Sequence, residues 1–159
     1  MDLRLLYALF LTIMPVTELR VGLPIAVIYA IDHNIPISLI FLTIILTNIL
    51  IIFFIFYFLD NLNSFFMKFN FYNRISRKFL KKFQKKVYKF EKRYKTIGFL
   101  ALILFVAIPL PGTGVWTGSL LAWILNLNRK KSIISISLGV IIAGILVLIG
   151  TLGFINLFS

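Results

Sequence analysis

The sequence predicts an all-α integral membrane protein, with two re-entrant helical hairpins and two full transmembrane helices in an inverted repeat, and with a basic amphipathic surface helix. Of its 159 residues, 60% are hydrophobic and 14% are charged, which is more apolar surface than a single soluble core hides. Four long apolar stretches form two pairs around a basic segment, and the first stretch of each pair is interrupted by proline and glycine. We therefore expect one membrane domain over residues 1–159, with a hairpin and span in 1–60, the cytoplasmic basic helix in 61–96, and a second hairpin and span in 97–159.

The first stretch, Leu3 to Ile31, carries Glu18 and Arg20 among residues that break helices. As one helix it would be about 43 Å long with both charges at mid-membrane, whereas two half-helices of roughly 10 to 12 residues would reach mid-bilayer and return. Irregular backbone at that depth needs protein or a water-filled cavity to satisfy its polar groups, so we expect the two hairpin tips to lie against each other. The predicted break residues are Pro15, Gly22 and Pro24.

The third stretch, Ile97 to Leu127, is interrupted in the same way. Its prolines stop the incoming half-helix and its glycines permit a tight reversal, so the outgoing half-helix is predicted to begin near Thr113. Free N–H groups at such a start favour an anion, unless the segment only closes the tip. No Gly-Lys-Ser/Thr follows, which excludes a nucleotide loop. The residues concerned are Pro109, Pro111, Gly112 and Gly114.

The second and fourth stretches are predicted to be ordinary spans. Ile35 to Leu59 would form a helix of about 37 Å, enough to cross a hydrocarbon core of about 30 Å with some tilt. Ser132 to Phe158 is similar. Small residues at a spacing of four along this last span provide a face on which another helix can pack closely, and they are Ser135, Gly139 and Ala143.

The basic segment accounts for most of the net charge of +12, because twelve of the 17 Lys and Arg residues lie between Lys68 and Lys95. Basic loops resist translocation, so the segment is predicted to be cytoplasmic and both termini to be outside. Its apolar residues recur about every 3.6 residues, which indicates one apolar helix face. This helix either binds anionic lipid or merely anchors the topology, and no nucleic-acid partner is expected. The lysines predicted to face the lipid surface are Lys81, Lys82, Lys85 and Lys86.

Enzymatic and metal sites are not predicted. The chain has no Cys, one His and five Asp and Glu residues, which are too few for a thiolate zinc site, a Ser-His-Asp triad or paired catalytic carboxylates. We expect no cofactor and no catalytic residue.

Glu18 and Arg20 are the first candidates for function, because an ionisable group inside an apolar segment costs about 2.5 to 3.5 kcal/mol or more. One interpretation is a salt bridge that closes the hairpin tip. The other is that Glu18 exchanges a proton or faces a cation while Arg20 faces an anion. Trp116 is predicted either to stack on a substrate or to pack. Three further residues are predicted to line a cavity or to bond across helices, namely Thr43, Thr47 and Asn48.

Two segments carry a family resemblance. Pro15-Val-Thr-Glu-Leu-Arg-Val-Gly-Leu-Pro24 and Val106-Ala-Ile-Pro-Leu-Pro-Gly-Thr-Gly-Val-Trp-Thr-Gly118 resemble the two signatures of the small multidrug export protein family. The first departs from the family pattern Glu-Leu-Arg-Gly-Ala-Ile-Pro, since its glycine is shifted by one position. The resemblance implies a small, multi-pass protein of the prokaryotic inner membrane that is assigned to export. The hairpin-plus-span plan is also similar to that of the DedA and VTT membrane proteins, which are linked to lipid and polyprenyl-phosphate movement.

Three functions follow from these observations. The first is proton-linked export of small amphipathic compounds, with Glu18 exchanging the proton and the hairpin tips forming a midplane site. The second is a carrier or flippase for an anionic lipid, whose phosphate is held by Arg20 and by the helix start at Thr113 to Trp116. The third is a scaffold that does not transport and acts through its lysine helix. Two spans enclose little space, so a homodimer surrounded by membrane lipids is expected.

Overall fold

The computed structural model describes residues 3–66, 93–110 and 112–158. Within these ranges the chain is helical, as predicted, and each half has two short helices followed by a helix of 30 residues. The first half contains α1 (Leu3–Ile13), α2 (Glu18–Asp32) and α3 (Ile37–Phe66), and the second contains α4 (Arg93–Ala107), α5 (Val115–Ile124) and α6 (Arg129–Phe158).

The two long helices are the predicted spans. The apolar parts Ile37–Asn61 and Arg129–Leu157 have 25 and 29 residues, and at 1.5 Å per residue they reach about 37 and 43 Å, beyond the hydrocarbon core of about 30 Å. The four short helices have between 10 and 15 residues, so each reaches about 22 Å at most. This length fits half-helices, and their re-entrant placement in a bilayer stays a prediction.

Helices α1 and α2 form an antiparallel hairpin. Arg4 at the start of α1 pairs with Asp32 at the end of α2, with Nη1 and Oδ2 3.8 Å apart. Nearer the turn the backbones approach closely: a Cβ on Gly22 would meet the Ala8 carbonyl oxygen at 2.7 Å and collide with the Thr12 hydroxyl. Gly22 is therefore required for the packing of the two helices.

The interruption in this first hairpin is shorter than the sequence predicts. Only Met14–Thr17 lies between the helices, and α2 runs without a break from Glu18 through Gly22 and Pro24. Proline lacks an N–H, so Pro24 cannot donate to the carbonyl four residues earlier, but helices tolerate one such loss when neighbouring helices hold them in place. Pro24 is half-buried in this packing.

The two halves end their second short helix in the same way. Asn34 after α2 and Asn126 after α5 both have left-handed backbone, with φ of 54° and 50°. In each case the next residue donates back to a carbonyl five residues earlier, Ile35 to Ala30 at 2.8 Å and Leu127 to Ala122 at 3.0 Å. This is the Schellman arrangement, which asparagine and glycine accept most readily. A shared helix order and a shared cap support an internal repeat.

Helices α3 and α6 run antiparallel through the centre. At one end Arg129 Nη1 lies 2.7 Å from Asp60 Oδ2, while a Cβ on Gly144 would lie 2.6 Å from Ile45 and 3.1 Å from Phe41, near the start of α3. Helices α2 and α5 each pack against both long helices. The starts of α2 and α5, which follow the two breaks, meet where the Trp116 N–H contacts Glu18.

The predicted surface helix, 61–96, overlaps its neighbours at both ends, since α3 continues to Phe66 and α4 begins at Arg93. Its remainder, 67–92, lies outside the described residues, together with all four lysines predicted to face lipid. The middle of α4 lies beside the start of α6, because the Lys131 ammonium is 5.7 Å from the centre of the Phe99 ring. We call this side, with Asp60 and Arg129, the Arg129 end.

Candidate functional site at the two helix breaks

Glu18 is the first residue of α2, and its carboxylate is buried between the two helix breaks. Its side chain is 3% exposed, and its backbone has a φ of 47°. This left-handed conformation is unfavourable for a glutamate and persists only where the surroundings enforce it. With this backbone conformation the carboxylate lies against the start of α5, where the Trp116 N–H donates to Oε1 at 3.2 Å.

The start of α5 thus has an acidic side chain as its partner. Gly114 precedes the helix and offers no capping side chain of its own, while a Cβ at this position would collide with the Glu18 carboxylate. The first N–H groups of a helix lack partners within it and carry partial positive charge. The site predicted to attract an external anion is occupied by Glu18 of the same chain.

Arg20 links the same carboxylate to the second break. Its Nη1 donates to Glu18 Oε2 at 3.4 Å, and its Nη2 donates to Thr113 Oγ1 at 2.9 Å and to the Ile108 carbonyl at 3.2 Å. The Arg20 side chain is 11% exposed. Its Nε is buried and has no hydrogen-bond partner among the described residues, so one donor of the guanidinium is unused.

Thr113 and Trp116 stabilise the second break from within. The Thr113 hydroxyl lies 2.7 Å from the Ile108 carbonyl and 2.8 Å from that of Leu110, and it accepts from Arg20. The Trp116 indole Nε1 donates to the Ile13 carbonyl at the end of α1, at 3.0 Å. Trp116 therefore contacts the first hairpin twice, through its backbone and through its ring.

The remaining predicted residues lie around this centre or apart from it. Pro15, Pro109 and Gly112 are exposed at the breaks, and Gly112 has the positive φ, 81°, that a tight reversal requires. Pro111 lies outside the described residues.

The three candidates on α3 bond to their own helix. Thr43 is exposed and Thr47 half-buried, and each donates to the carbonyl four residues earlier at 2.8 Å. Asn48 is 1% exposed and donates to Ile44 at 3.0 Å, whereas its Oδ1 has no partner among the described residues.

Sequence reasoning missed several contributors. The carbonyl groups of Ile13 and Ile108 act through the backbone, which no residue pattern reveals. A second polar cluster also escaped it: Asp60 accepts from Trp123 Nε1 at 3.1 Å and pairs with Arg129. The signal for this cluster was a lone carboxylate at the end of an apolar stretch, followed much later by a cation at the start of another.

The site combines one buried anion, one cation with an unused donor, and a helix N-terminus. Glu18 contacts both the cation and the helix N-terminus, and its hydrogen bond to Trp116 joins the two hairpins. Across residues 3–66, 93–110 and 112–158, no three His, Asp or Glu side chains come together as metal ligands would.

Comparison with known proteins identifies the family. Neither the curated proteins nor the solved structures yield a match. A family model described as "Putative small multi-drug export protein" matches residues 18–146, a range that begins at Glu18 and includes the entire second break. The match confirms the resemblance seen in the two segments, and the family and the two long apolar helices fit a membrane protein. The chain belongs to the small multi-drug export protein family.

Proposed function

We propose that this chain is a proton-linked exporter of small amphipathic compounds, in which Glu18 exchanges the proton and the two helix breaks form the site at mid-membrane. One observation carries the proposal. The Glu18 carboxylate, 3% exposed, contacts Arg20 on its own helix and the Trp116 N–H on the other hairpin. An ionisable group in such a position is expensive, and in membrane proteins it is a functional candidate by default.

Protonation of Glu18 would act on the contact between the hairpins. The negative charge of the carboxylate strengthens its contacts with Arg20 and the Trp116 N–H, since charge-assisted hydrogen bonds are roughly twice as strong as neutral ones. A neutral Glu18 attracts Arg20 and the start of α5 less, while Arg20 keeps its contacts with Thr113 and Ile108. Gain and loss of a proton would therefore loosen and restore the link between α2 and α5.

A cationic substrate would compete for the same carboxylate. Glu18 Oε2 and Arg20 Nη1 are 3.4 Å apart, and Arg20 has two further acceptors on the second break. Arg20 could therefore move away from Glu18 without losing all of its partners. Either a proton or a lipophilic cation would then neutralise Glu18, which is the mutual exclusion that antiport requires.

The arrangement is less suited to a lipid phosphate. Such a group would need the N-terminus of α5 and Arg20, and Glu18 already contacts both. A phosphate would have to displace a carboxylate that belongs to the same chain. We therefore place export first and use lipid-phosphate movement as the contrary outcome of the test.

The proposed topology has the Arg129 end in the cytoplasm and the hairpins re-entrant from opposite sides. Arg129, Lys130 and Lys131 lie at this end, at the start of α6. Basic residues are retained on the cytoplasmic side. The antiparallel packing of α3 and α6 supports halves of opposite orientation.

The test measures transport in proteoliposomes under an imposed pH gradient, with a fluorescent lipophilic cation in one arm and a labelled polyprenyl phosphate in the other. Wild type is expected to move the cation only with the gradient, and Glu18→Gln to abolish this movement. Glutamine keeps an oxygen that accepts from Trp116 N–H, so the variant should fold. Asp32→Asn, which changes an exposed carboxylate at the opposite end, is the matched control and should transport normally.

Two results would overturn the proposal. Gradient-driven cation movement that survives Glu18→Gln would remove Glu18 from the mechanism. Movement of the lipid phosphate alone, with strong loss in Arg20→Ala, would replace export by lipid transfer.

A further inference from the structure

Ser119 of α5 and Ser132 of α6 are buried hydroxyls without a hydrogen-bond partner among the described residues. Both are 0% exposed. A serine or threonine in a helix ordinarily bonds to the carbonyl four residues earlier. A buried hydroxyl that lacks any partner costs about 1 to 3 kcal/mol, so each instance needs a reason. The ordinary bond is made, at 2.8 Å, by Thr12, Thr43, Thr47 and Thr151.

Both serines lie between Glu18 and the Arg129 end. Ser119 is four residues after Val115, which places it about 6 Å along α5 from the start that Glu18 contacts. Ser132 is three residues after Arg129, about 4.5 Å into α6. Trp123, further along α5, bonds to Asp60 and so marks the same end.

The helices that carry the two hydroxyls pack against each other. Gly118, next to Ser119, faces both α4 and α6, because a Cβ built on it would lie 2.7 Å from Val106 and 3.7 Å from Ile136. Ile136 is four residues after Ser132 and therefore lies on the same face of α6, one turn away. Ser119 and Ser132 are thus both fully buried, on two helices that are in contact.

We propose that Ser119 and Ser132 line a water-accessible route by which protons reach Glu18 from the Arg129 end. The proposal rests on the proposed function, in which Glu18 exchanges the proton. A hydroxyl donates one hydrogen bond and accepts two, so it can take a proton from one water while it releases its own to the next. No serine keeps a net charge, and the proton ends on the Glu18 carboxylate. Buried polar atoms without protein partners are the groups that internal water satisfies.

The alternative is that these serines are merely small residues at a close helix contact. In that case alanine, which is as small and carries no polar group, would serve equally well. The two interpretations differ in whether water reaches the positions, and this can be measured without transport.

The first test uses the absence of cysteine from the chain. Ser119→Cys and Ser132→Cys are compared with Ala122→Cys on α5, whose native residue is 1% exposed. Each variant in proteoliposomes is exposed to Ag⁺, which travels with water and reacts with thiols, then unfolded and labelled with a fluorescent maleimide. The serine positions should lose most of their label while the Ala122 position keeps it. Equal loss of maleimide label at all three positions, or loss at none of them, would overturn the route.

The second test measures proton uptake with a pH-sensitive dye inside the vesicles. Ser119→Ala and Ser132→Ala should slow gradient-driven uptake several-fold, whereas Thr151→Ala, which removes a hydroxyl bonded to its own helix, should not. Uptake at the wild-type rate in both serine variants would overturn the role in proton delivery. If wild type moves no protons but Ag⁺ reaches both serines, the proposed function fails and the water route stands.

Discussion

Gly114 has no room for a side chain, because the Glu18 carboxylate lies where its Cβ would be. Gly114→Ala should therefore displace Glu18 or the start of α5, and either change breaks the bond to Trp116 N–H. We expect a loss of stability on the order of 1 to 3 kcal/mol, typical of overpacking, seen as a lower melting temperature in detergent.

A matched glycine and a double variant control this prediction. Gly98 of α4 has no atom within 4 Å of a Cβ, so Gly98→Ala should stabilise the helix by roughly 0.5 to 1 kcal/mol. When it is added to Glu18→Ala, Gly114→Ala should cost much less stability than it costs in the wild type, because the colliding carboxylate is gone. A penalty that persists in the double variant would mean that Gly114 is needed for another reason.

The candidate site was only partly predictable. Glu18 and Arg20 stand out because charge is rare in apolar sequence, and Thr113 and Trp116 stand out between the prolines and glycines. Their partners did not. The contact between Glu18 and Trp116 joins residues far apart in the chain, so it depends on how the two hairpins pack, and residue type alone does not encode it.

The contact between α1 and α2 depends on Gly22. A Cβ there would lie 2.7 Å from the Ala8 carbonyl and collide with the Thr12 hydroxyl, and the carbonyl belongs to a helix backbone that cannot move alone. Gly22→Ala should separate the two helices and lower the free energy of unfolding by about 1 to 3 kcal/mol. Gly150→Ala on α6, where a Cβ meets nothing within 4 Å, is the control, and equal melting temperatures for the two variants would contradict the prediction.

Gly22 and Pro24 also show why helix bounds are hard to predict. Both are poor helix formers, and the sequence therefore predicted a break around them. In the structure α2 continues through both, because packing against α1, α3 and α6 outweighs local propensity. Helix α1, by contrast, ends at Ile13, two residues before Pro15. Of the three predicted break residues, Pro15 therefore marks the actual turn, whereas Gly22 and Pro24 lie inside α2.

The ion pair of Asp60 and Arg129 joins the end of α3 to the start of α6. Its distance is short, 2.7 Å, but the side chains are 46% and 51% exposed, so we expect a coupling energy within about 0 to 1 kcal/mol. A double-mutant cycle with Asp60→Asn and Arg129→Gln measures this value. Asparagine can still accept from Trp123, which isolates the charge. The coupling should fall in high salt, and a large coupling that salt leaves unchanged would contradict the prediction.

The alternation of short and long helices was predictable from the whole sequence. Apolar length separated the spans from the interrupted stretches, and the positions of the cations suggested opposite orientations for the two halves. The antiparallel contact of α3 and α6, through Asp60 with Arg129 and through Gly144 with Ile45, is the arrangement that such halves need. The sequence pattern did not predict that α2 and α5 would each pack on the long helices of both halves.

The orientation of the halves in the membrane can be tested with a matched pair of cysteines. Ser38 and Lys130 are both exposed, and each is the second residue of its long helix. If the halves are inverted and the Arg129 end is cytoplasmic, a membrane-impermeant maleimide should label Ser38→Cys in intact cells and Lys130→Cys only after permeabilisation. The cysteine-free parent should remain unlabelled. Labelling of both variants, or of neither, in intact cells would contradict the inversion, and the reverse pattern would place the basic end outside, against the retention of Lys and Arg in the cytoplasm.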